Sequence, residues 1–224
     1  MCGRFAFYSP REAVSDLFDV EFPLALEPRF NISPTQYVVT LRQEEGDDDE
    51  LAIEPVLLRW GLIPFWASDA RIGNRMINAR AETVDQKPAY RAAFKRRRCV
   101  ILADGFYEWR RTDDGKIPYF IFGRKQQPFA MAGLWESWSG DDSPVQSCTI
   151  ITTAANRLMG ALHERMPVIL SAENTRRWID GATDSRETLL SLLAPADENL
   201  LDYREVSRAV NNSRNEGPEL IEPR

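Results

Sequence analysis

Cys2 directly follows the opening methionine. Removal of Met1 leaves it with a free α-amine and a thiol on adjacent carbons, a 1,2-aminothiol. The amine can condense with an aldehyde, and the thiol can then close onto the imine to give a five-membered thiazolidine. No internal cysteine can do this. Small second residues such as Cys permit methionine removal. The two groups have reference pKa values of about 8 and about 8.5, so a modest downward shift leaves both partly nucleophilic at neutral pH. Gly3 allows close backbone approach. Arg4 supplies a fixed cation that would favour thiolate or hold an anionic substrate, and Phe5 can anchor the end in a core. The ordinary alternatives are a frayed terminus and a small buried hydrophobe.

Three further polar patches lie in apolar surroundings, where polar groups cost free energy unless partnered. Glu108 sits among aromatics in Asp104-Gly105-Phe106-Tyr107-Glu108-Trp109. Such a carboxyl should have a raised pKa, which suits a general acid/base; its structural alternative is an arginine's ion-pair partner. His163 is the one histidine and titrates near neutrality when unperturbed. Asn78, beside Arg80, can orient an amine or a sugar hydroxyl, or cap a turn. Spacing along the chain does not by itself bring these residues together.

The 224 residues suit one domain, 1–224, and 43% hydrophobic content supplies a core. No apolar run reaches membrane-span length and no signal-peptide pattern opens the chain. Cys2, Cys99 and Cys148 show no metal spacing and cannot all pair, so a reduced, cytoplasmic setting is expected, with Cys99 and Cys148 in the core. One histidine excludes a zinc site built on several imidazoles. The formal net charge of −6 argues against a generic nucleic-acid binder, which is usually basic. The charge is uneven, however. Acid gathers in Glu44-Glu45-Gly46-Asp47-Asp48-Asp49-Glu50, and base in Arg71 to Arg80 and Lys95-Arg96-Arg97-Arg98, so a basic cleft on an acidic protein is compatible with it.

Elements must position these groups. Ser9 as N-cap, Pro10 and Glu12 open a helix with Ala13, Val14, Leu17 and Phe18 on its apolar face. Strands are expected near Tyr37–Leu41 and Leu51–Trp60, with the acidic run as their hairpin tip, then at Cys99–Ala103, Pro118–Phe122, Phe129–Leu134, Gln146–Thr152 and Val168–Leu170. Gly61 to Trp66 is a loop whose aromatics can stack on bases or cap the core. Ile77 to Glu82 reads as extended. Helices are expected at Tyr90–Phe94, at Ala155–Leu162, after Ser171 through Ile179, and from an Asp184/Glu187 cap through Leu193. The tail after about residue 212 reads as loose. Strands outnumber helices without alternating with them, giving a β-rich α+β single domain.

Seven segments in order carry a resemblance: Met1 to Phe5, Asn31-Ile32-Ser33-Pro34, Trp60 to Pro64, Ile77 to Glu82, Ala103 to Trp109, Leu162 to Pro167 and Val206 to Asn211. Across nearly its whole length the chain resembles the SOS-response-associated peptidase family, whose members are abasic-site sensors that crosslink covalently to DNA. The resemblance implies a barrel-like mixed or antiparallel sheet core with flanking helices and a positive cleft for single-stranded DNA. By it, Cys2 forms a thiazolidine with the aldehyde of an abasic site, Asn78 holds the Cys2 amine, His163 assists sugar ring opening and Glu108 shuttles protons. Arg4, Arg80 and Arg165 would bind flanking phosphates, Ser207 and Arg208 would help, and Pro34 and Trp66 would wedge or stack at the gap left by the base. Autocatalytic loss of Met1 and a weak β-elimination lyase activity are also expected, with no cofactor and no metal. The expected partner is single-stranded DNA containing abasic sites, met by a monomer that is nucleoid-associated when bound and touches no membrane. Two other readings stay open on the residues: an N-terminal-nucleophile cysteine hydrolase of peptides or amides, and a non-covalent single-stranded DNA binder.

Overall fold

The computed structural model describes residues 2–22, 26–43, 52–140, 143–180 and 185–224. The strands are β1 (Phe5–Phe7), β2 (Arg29–Ile32), β3 (Tyr37–Gln43), β4 (Ile53–Trp60), β5 (Asn78–Arg80), β6 (Arg98–Ala103), β7 (Gly105–Thr112), β8 (Gly115–Gly123), β9 (Phe129–Ser139), β10 (Pro144–Ala154), β11 (Arg165–Pro167), β12 (Ile169–Leu170) and β13 (Leu201–Glu205). The helices are α1 (Arg11–Phe18), α2 (Arg91–Arg96), α3 (Arg157–Gly160), α4 (Ala172–Ile179) and α5 (Arg186–Ser191).

Apolar residues with high strand propensity, such as Val100-Ile101-Leu102, make the central strands continuous buried runs. Going round, β10 pairs β4, β4 pairs β3, β3 pairs β6, β6 pairs β9, and β9 returns to β10. This closes a five-stranded barrel, antiparallel except for the parallel β10–β4 pairing, and closure removes the exposed edges an open sheet would leave. Past Ile150, β9 and β10 diverge. The segment carrying β11 and β12 fills the gap: β11 pairs β10, β12 pairs β9, and Val168 between them donates to Ile151 and accepts from Ala132. On the other edge of β10, β4 gives way to β5, again parallel. The end of β10 near Thr152 therefore collects Arg80 from one side and the strand led by Arg165 from the other.

A second sheet, in the order β13-β8-β7-β1-β2, is antiparallel throughout. It lays the N-terminal segment along β7, where the Tyr107 N–H donates to the Arg4 carbonyl. Phe5 is wholly buried and meets the Trp60 ring edge-on at 5.2 Å. Cys99 and Cys148 are buried, as expected of core positions.

Several local expectations change. Ser9 does not cap α1: its hydroxyl bonds Asp104, whose carboxylate also takes the N–H groups of Tyr8 and Ser9, and Pro10 holds the cap position. The last helix is capped by Ser185, with Asp184 outside the described residues. The acidic run also lies outside them. The expected helix over 155–162 is only the single turn of α3, because the Asn156 side chain caps it and strand pairing extends β10 to Ala154. The tail after 212 is docked: Leu220 is fully buried, and the Arg224 N–H reaches the Glu205 carbonyl.

Candidate functional site

Cys2 enters the structure as an anchored residue. Its side chain is fully buried, and its carbonyl accepts a 2.7 Å hydrogen bond from the Asn78 side chain on β5. The Asn78 carbonyl in turn accepts from the Tyr90 hydroxyl at 3.3 Å. Glu108 lies on β7, two residues beyond the Phe106 that pairs with Phe5, and is 4% exposed. Burial raises its pKa above the ordinary carboxylate value, and the nearby His163 opposes that rise. The thiol of Cys2 is pushed up to about 12, by burial first and by the Glu108 charge second. The shift is thus upward rather than downward: burial and the Glu108 charge outweigh the hydrogen bond from the Arg4 backbone, and the thiol holds its proton. The Arg4 guanidinium is turned elsewhere, donating to Asn31 at 2.6 Å and to the Val210 carbonyl at 2.9 Å.

His163 sits between α3 and β11. The Arg165 N–H donates to its Nδ1 at 3.0 Å, so Nδ1 is an acceptor and the proton of the neutral ring belongs on Nε2. His163 and Glu108 line one open cleft of about 830 Å³ together with Gly3, Arg4, Trp109, Arg111, Lys116, Glu164 and Asn211. Cys2 lies beneath this cleft, next to Gly3. Four groups spread from position 2 to position 163 thus come together at and beneath this cleft. They are a protonated thiol on a short tether, an amide holding that tether, a carboxyl of raised pKa, and an imidazole of defined tautomer. The set can add a nucleophile to a carbonyl carbon and move the protons this requires.

The other expected contact residues divide. Asn78 and Arg80 line a second hollow of about 420 Å³ with Trp66, Met76 and Tyr90, and Asn78 reaches from it to the Cys2 carbonyl. Trp66 is half exposed. Arg165 has most of its donors committed, to Glu82 at 2.5 and 3.0 Å and to the Thr152 carbonyl at 2.6 Å. Ser207 is exposed and caps the 3-10 turn Arg208–Asn211, accepting from the Ala209 N–H at 3.2 Å. Pro34 precedes the turn in which the Thr35 N–H meets the Trp60 carbonyl. Arg165, Pro34, Ser207 and Arg208 line neither depression.

The cleft also holds residues not expected as contacts. Arg111 and Lys116 face each other across the β7–β8 hairpin, both exposed. Asp113-Asp114-Gly115 was the available signal, since two Asp residues followed by Gly mark a tight turn, here Asp113-Asp114, that sets two cations opposite one another. Asn211 accepts from the Trp109 indole at 2.7 Å, and Glu164 follows His163. Asn31 ties these parts together. Fully buried, it accepts from Arg4 and donates to the carbonyls of Asn212 at 3.0 Å and Asn215 at 2.8 Å.

Fold and site together define a class: a β-barrel domain with a buried cysteine just ahead of its first strand, held beneath a carboxyl–imidazole cleft. A family model for the SOS response associated peptidase (SRAP) matches residues 1–213, and the chain belongs to that family. It is 42% identical, over 99% of both chains, to the abasic site processing protein YoqW of Bacillus subtilis. It is 32% identical, over the full length of both, to the abasic site processing protein YedK of Escherichia coli. Among solved structures, a protein from Bacteroides thetaiotaomicron superposes with a TM-score of 0.85 over all of both chains at 24% identity, which establishes the shared fold.

Proposed function

We propose that this protein recognises abasic sites in single-stranded DNA and, with Met1 removed, joins them covalently through Cys2. The observation that carries the reading is the Asn78–Cys2 hydrogen bond, which fixes the N-terminal residue beside Glu108. The names of the relatives supply the substrate class.

An abasic deoxyribose is mostly a closed hemiacetal. Opening it moves a proton from the anomeric hydroxyl to the ring oxygen and frees the C1′ aldehyde. His163, a donor at Nε2, serves the ring oxygen. The Cys2 amine adds to C1′, and the carbinolamine loses its hydroxyl as water when Glu108 supplies a proton, leaving the Schiff base. The neutral thiol then adds to the same carbon of the protonated Schiff base: the S–C bond forms, the C=N π pair returns to the N–H nitrogen, and the thiol proton passes to the Glu108 carboxylate and restores its carboxyl. One water is lost overall, and Glu108 ends in its starting state. A carboxyl of raised pKa suits both directions of transfer. Schiff-base formation also acidifies the adjacent C2′–H, so slow β-elimination of the 3′ phosphate is an expected side reaction. Arg4, Arg80, Arg111 and Lys116 would supply cationic contacts to phosphates flanking the lesion, and Trp66 a face for a neighbouring base.

The test pairs purified protein with a single-stranded oligonucleotide bearing one abasic site, read by denaturing gel and intact mass. The expected result is a heat-stable adduct on protein lacking Met1, one water lighter than its parts, absent with undamaged DNA and with Cys2→Ala. Protein lacking Met1 that forms no adduct overturns the reading, and turnover of an amide without DNA would put a cysteine hydrolase in its place.

A further inference from the structure

The basic cluster after residue 90 has no part in the reactive cleft, yet it forms a groove of its own. This depression, of about 850 Å³, is lined by Phe65, Arg91, Lys95, Arg96 and Arg97, with Trp135 and Glu136 also contributing. Helix α2 buries Ala93 and Phe94 and leaves Arg91, Lys95 and Arg96 exposed. Arg91 and Lys95 are four apart on the helix, a like-charge spacing that disfavours the bare helix. Among the described residues none of these three cations has an ion-pair partner. The groove's one acid, Glu136, is answered by Arg97 at 2.9 Å. Phe65 is 57% exposed, an arrangement that leaves a large apolar ring in water beside positive charge.

The groove also adjoins the hollow that contains Asn78 and Arg80. Phe65 lines the groove and its chain neighbour Trp66 lines the hollow; Arg91 lines the groove and its chain neighbour Tyr90 lines the hollow. The two depressions therefore adjoin at two places along the chain, and Asn78 links the hollow to Cys2. Exposed aromatic faces beside cations that lack ion-pair partners are the requirements for holding a single strand by its bases and phosphates without reading sequence.

We propose that the groove over α2 is a second nucleic-acid subsite, which binds the single strand several nucleotides away from the lesion held at Cys2. The inference rests on the DNA reading above. It gives the protein affinity for strand length, while the chemistry stays at the cleft.

The experiment measures binding of undamaged oligothymidylate by fluorescence anisotropy across a salt series. One oligomer is about 4 nucleotides long and one about 16, the range of single-stranded site sizes. The variant is Arg91→Gln/Lys95→Gln/Arg96→Gln in the full chain, with Lys95→Gln alone as the mildest exposed change. For the long oligomer the triple variant should bind at least ten-fold more weakly, and its slope of log K against log salt should flatten by about 2, at about 0.7 per phosphate. Lys95→Gln should flatten it by about 0.7. The short oligomer should bind both variants as it binds the parent. An unchanged long-oligomer slope, or equal losses on short and long, overturns the subsite. If the parent binds the long oligomer with the expected slope but never forms an adduct with abasic DNA, the covalent reading fails and the subsite stands.

Discussion

At the scale of single residues, the site separates positioning from reactivity. Cys2 is legible from its place in the chain, because only a terminal cysteine is an aminothiol. Its ionisation was not legible: a cation two residues on suggested thiolate, but burial and Glu108 hold the proton on sulfur. Glu108 was legible from its aromatic neighbours, which predicted the burial that now raises its pKa. The His163 tautomer depends on the Arg165 N–H and leaves no trace in composition. Glu108→Gln keeps the shape but cannot take a proton, so single-turnover crosslinking should slow by about 10² or more, the usual size of general acid/base catalysis. The same variant has a stability signature. A carboxyl whose folded pKa lies above its unfolded value adds stability that is complete below about pH 4.3 and is lost as pH rises through the folded value. Glu108→Gln should therefore melt higher than the parent at neutral pH, with the gap closing in acid. A lower melting point at neutral pH would mean that the charged form is favoured by the fold.

At the scale of elements, alternation and apolar runs revealed most strands, because a strand buried in a barrel writes its own pattern. Strands β1, β2, β7, β11 and β13 were missed; in β13, Asp202, Arg204 and Glu205 disguise a five-residue edge. The cap of α1 was misread because Asp104, 95 residues away, takes the Ser9 hydroxyl, a competition no local rule sees. The tail was misread because its anchors are distant in sequence: Leu220 is buried, Arg224 bonds back to Glu205, and the Asn31 side chain holds its start. Asn31, itself fully buried, accepts from Arg4 and donates to the carbonyls of Asn212 and Asn215. Asn31→Ala should cost about 2–3 kcal/mol in urea unfolding, since it strands a guanidinium donor and two carbonyls. The excursion between β4 and β5 depends on Gly61, at φ +121°, where a Cβ would come within 2.5 Å of the Gly73 carbonyl oxygen. Gly61→Ala should destabilise by about 2 kcal/mol or more through backbone strain and that clash, and should loosen Trp66 with the loop. The β7–β8 hairpin sets Arg111 opposite Lys116, a like-charge pair that costs free energy until an anion joins it. Replacing both by Gln should weaken binding of DNA carrying an unreactive tetrahydrofuran abasic analogue by about ten-fold.

At the scale of the whole molecule, barrel closure was beyond local reading. It rests on β10 accepting β4 and then β5 in parallel on one edge while β9 gives way to β11 on the other, pairings separated by up to about ninety residues. That closure delivers position 78 and position 163 to the N-terminal strand, and so makes a site from residues that look unrelated in sequence. The net charge poses the opposite problem. A protein at −6 should repel DNA, yet the cleft and the groove over α2 both present cations. At physiological ionic strength the Debye length is about 8 Å, so a strand lying in the cleft feels the nearby cations while distant acids are screened. Local charge should therefore govern affinity, and binding of single-stranded DNA should weaken as salt rises. If net charge governed it instead, added salt would relieve repulsion and binding would tighten. The sign of log K against log salt separates the two. A negative slope of about 2 or more corresponds to three or more phosphates neutralised together, despite the protein's overall charge.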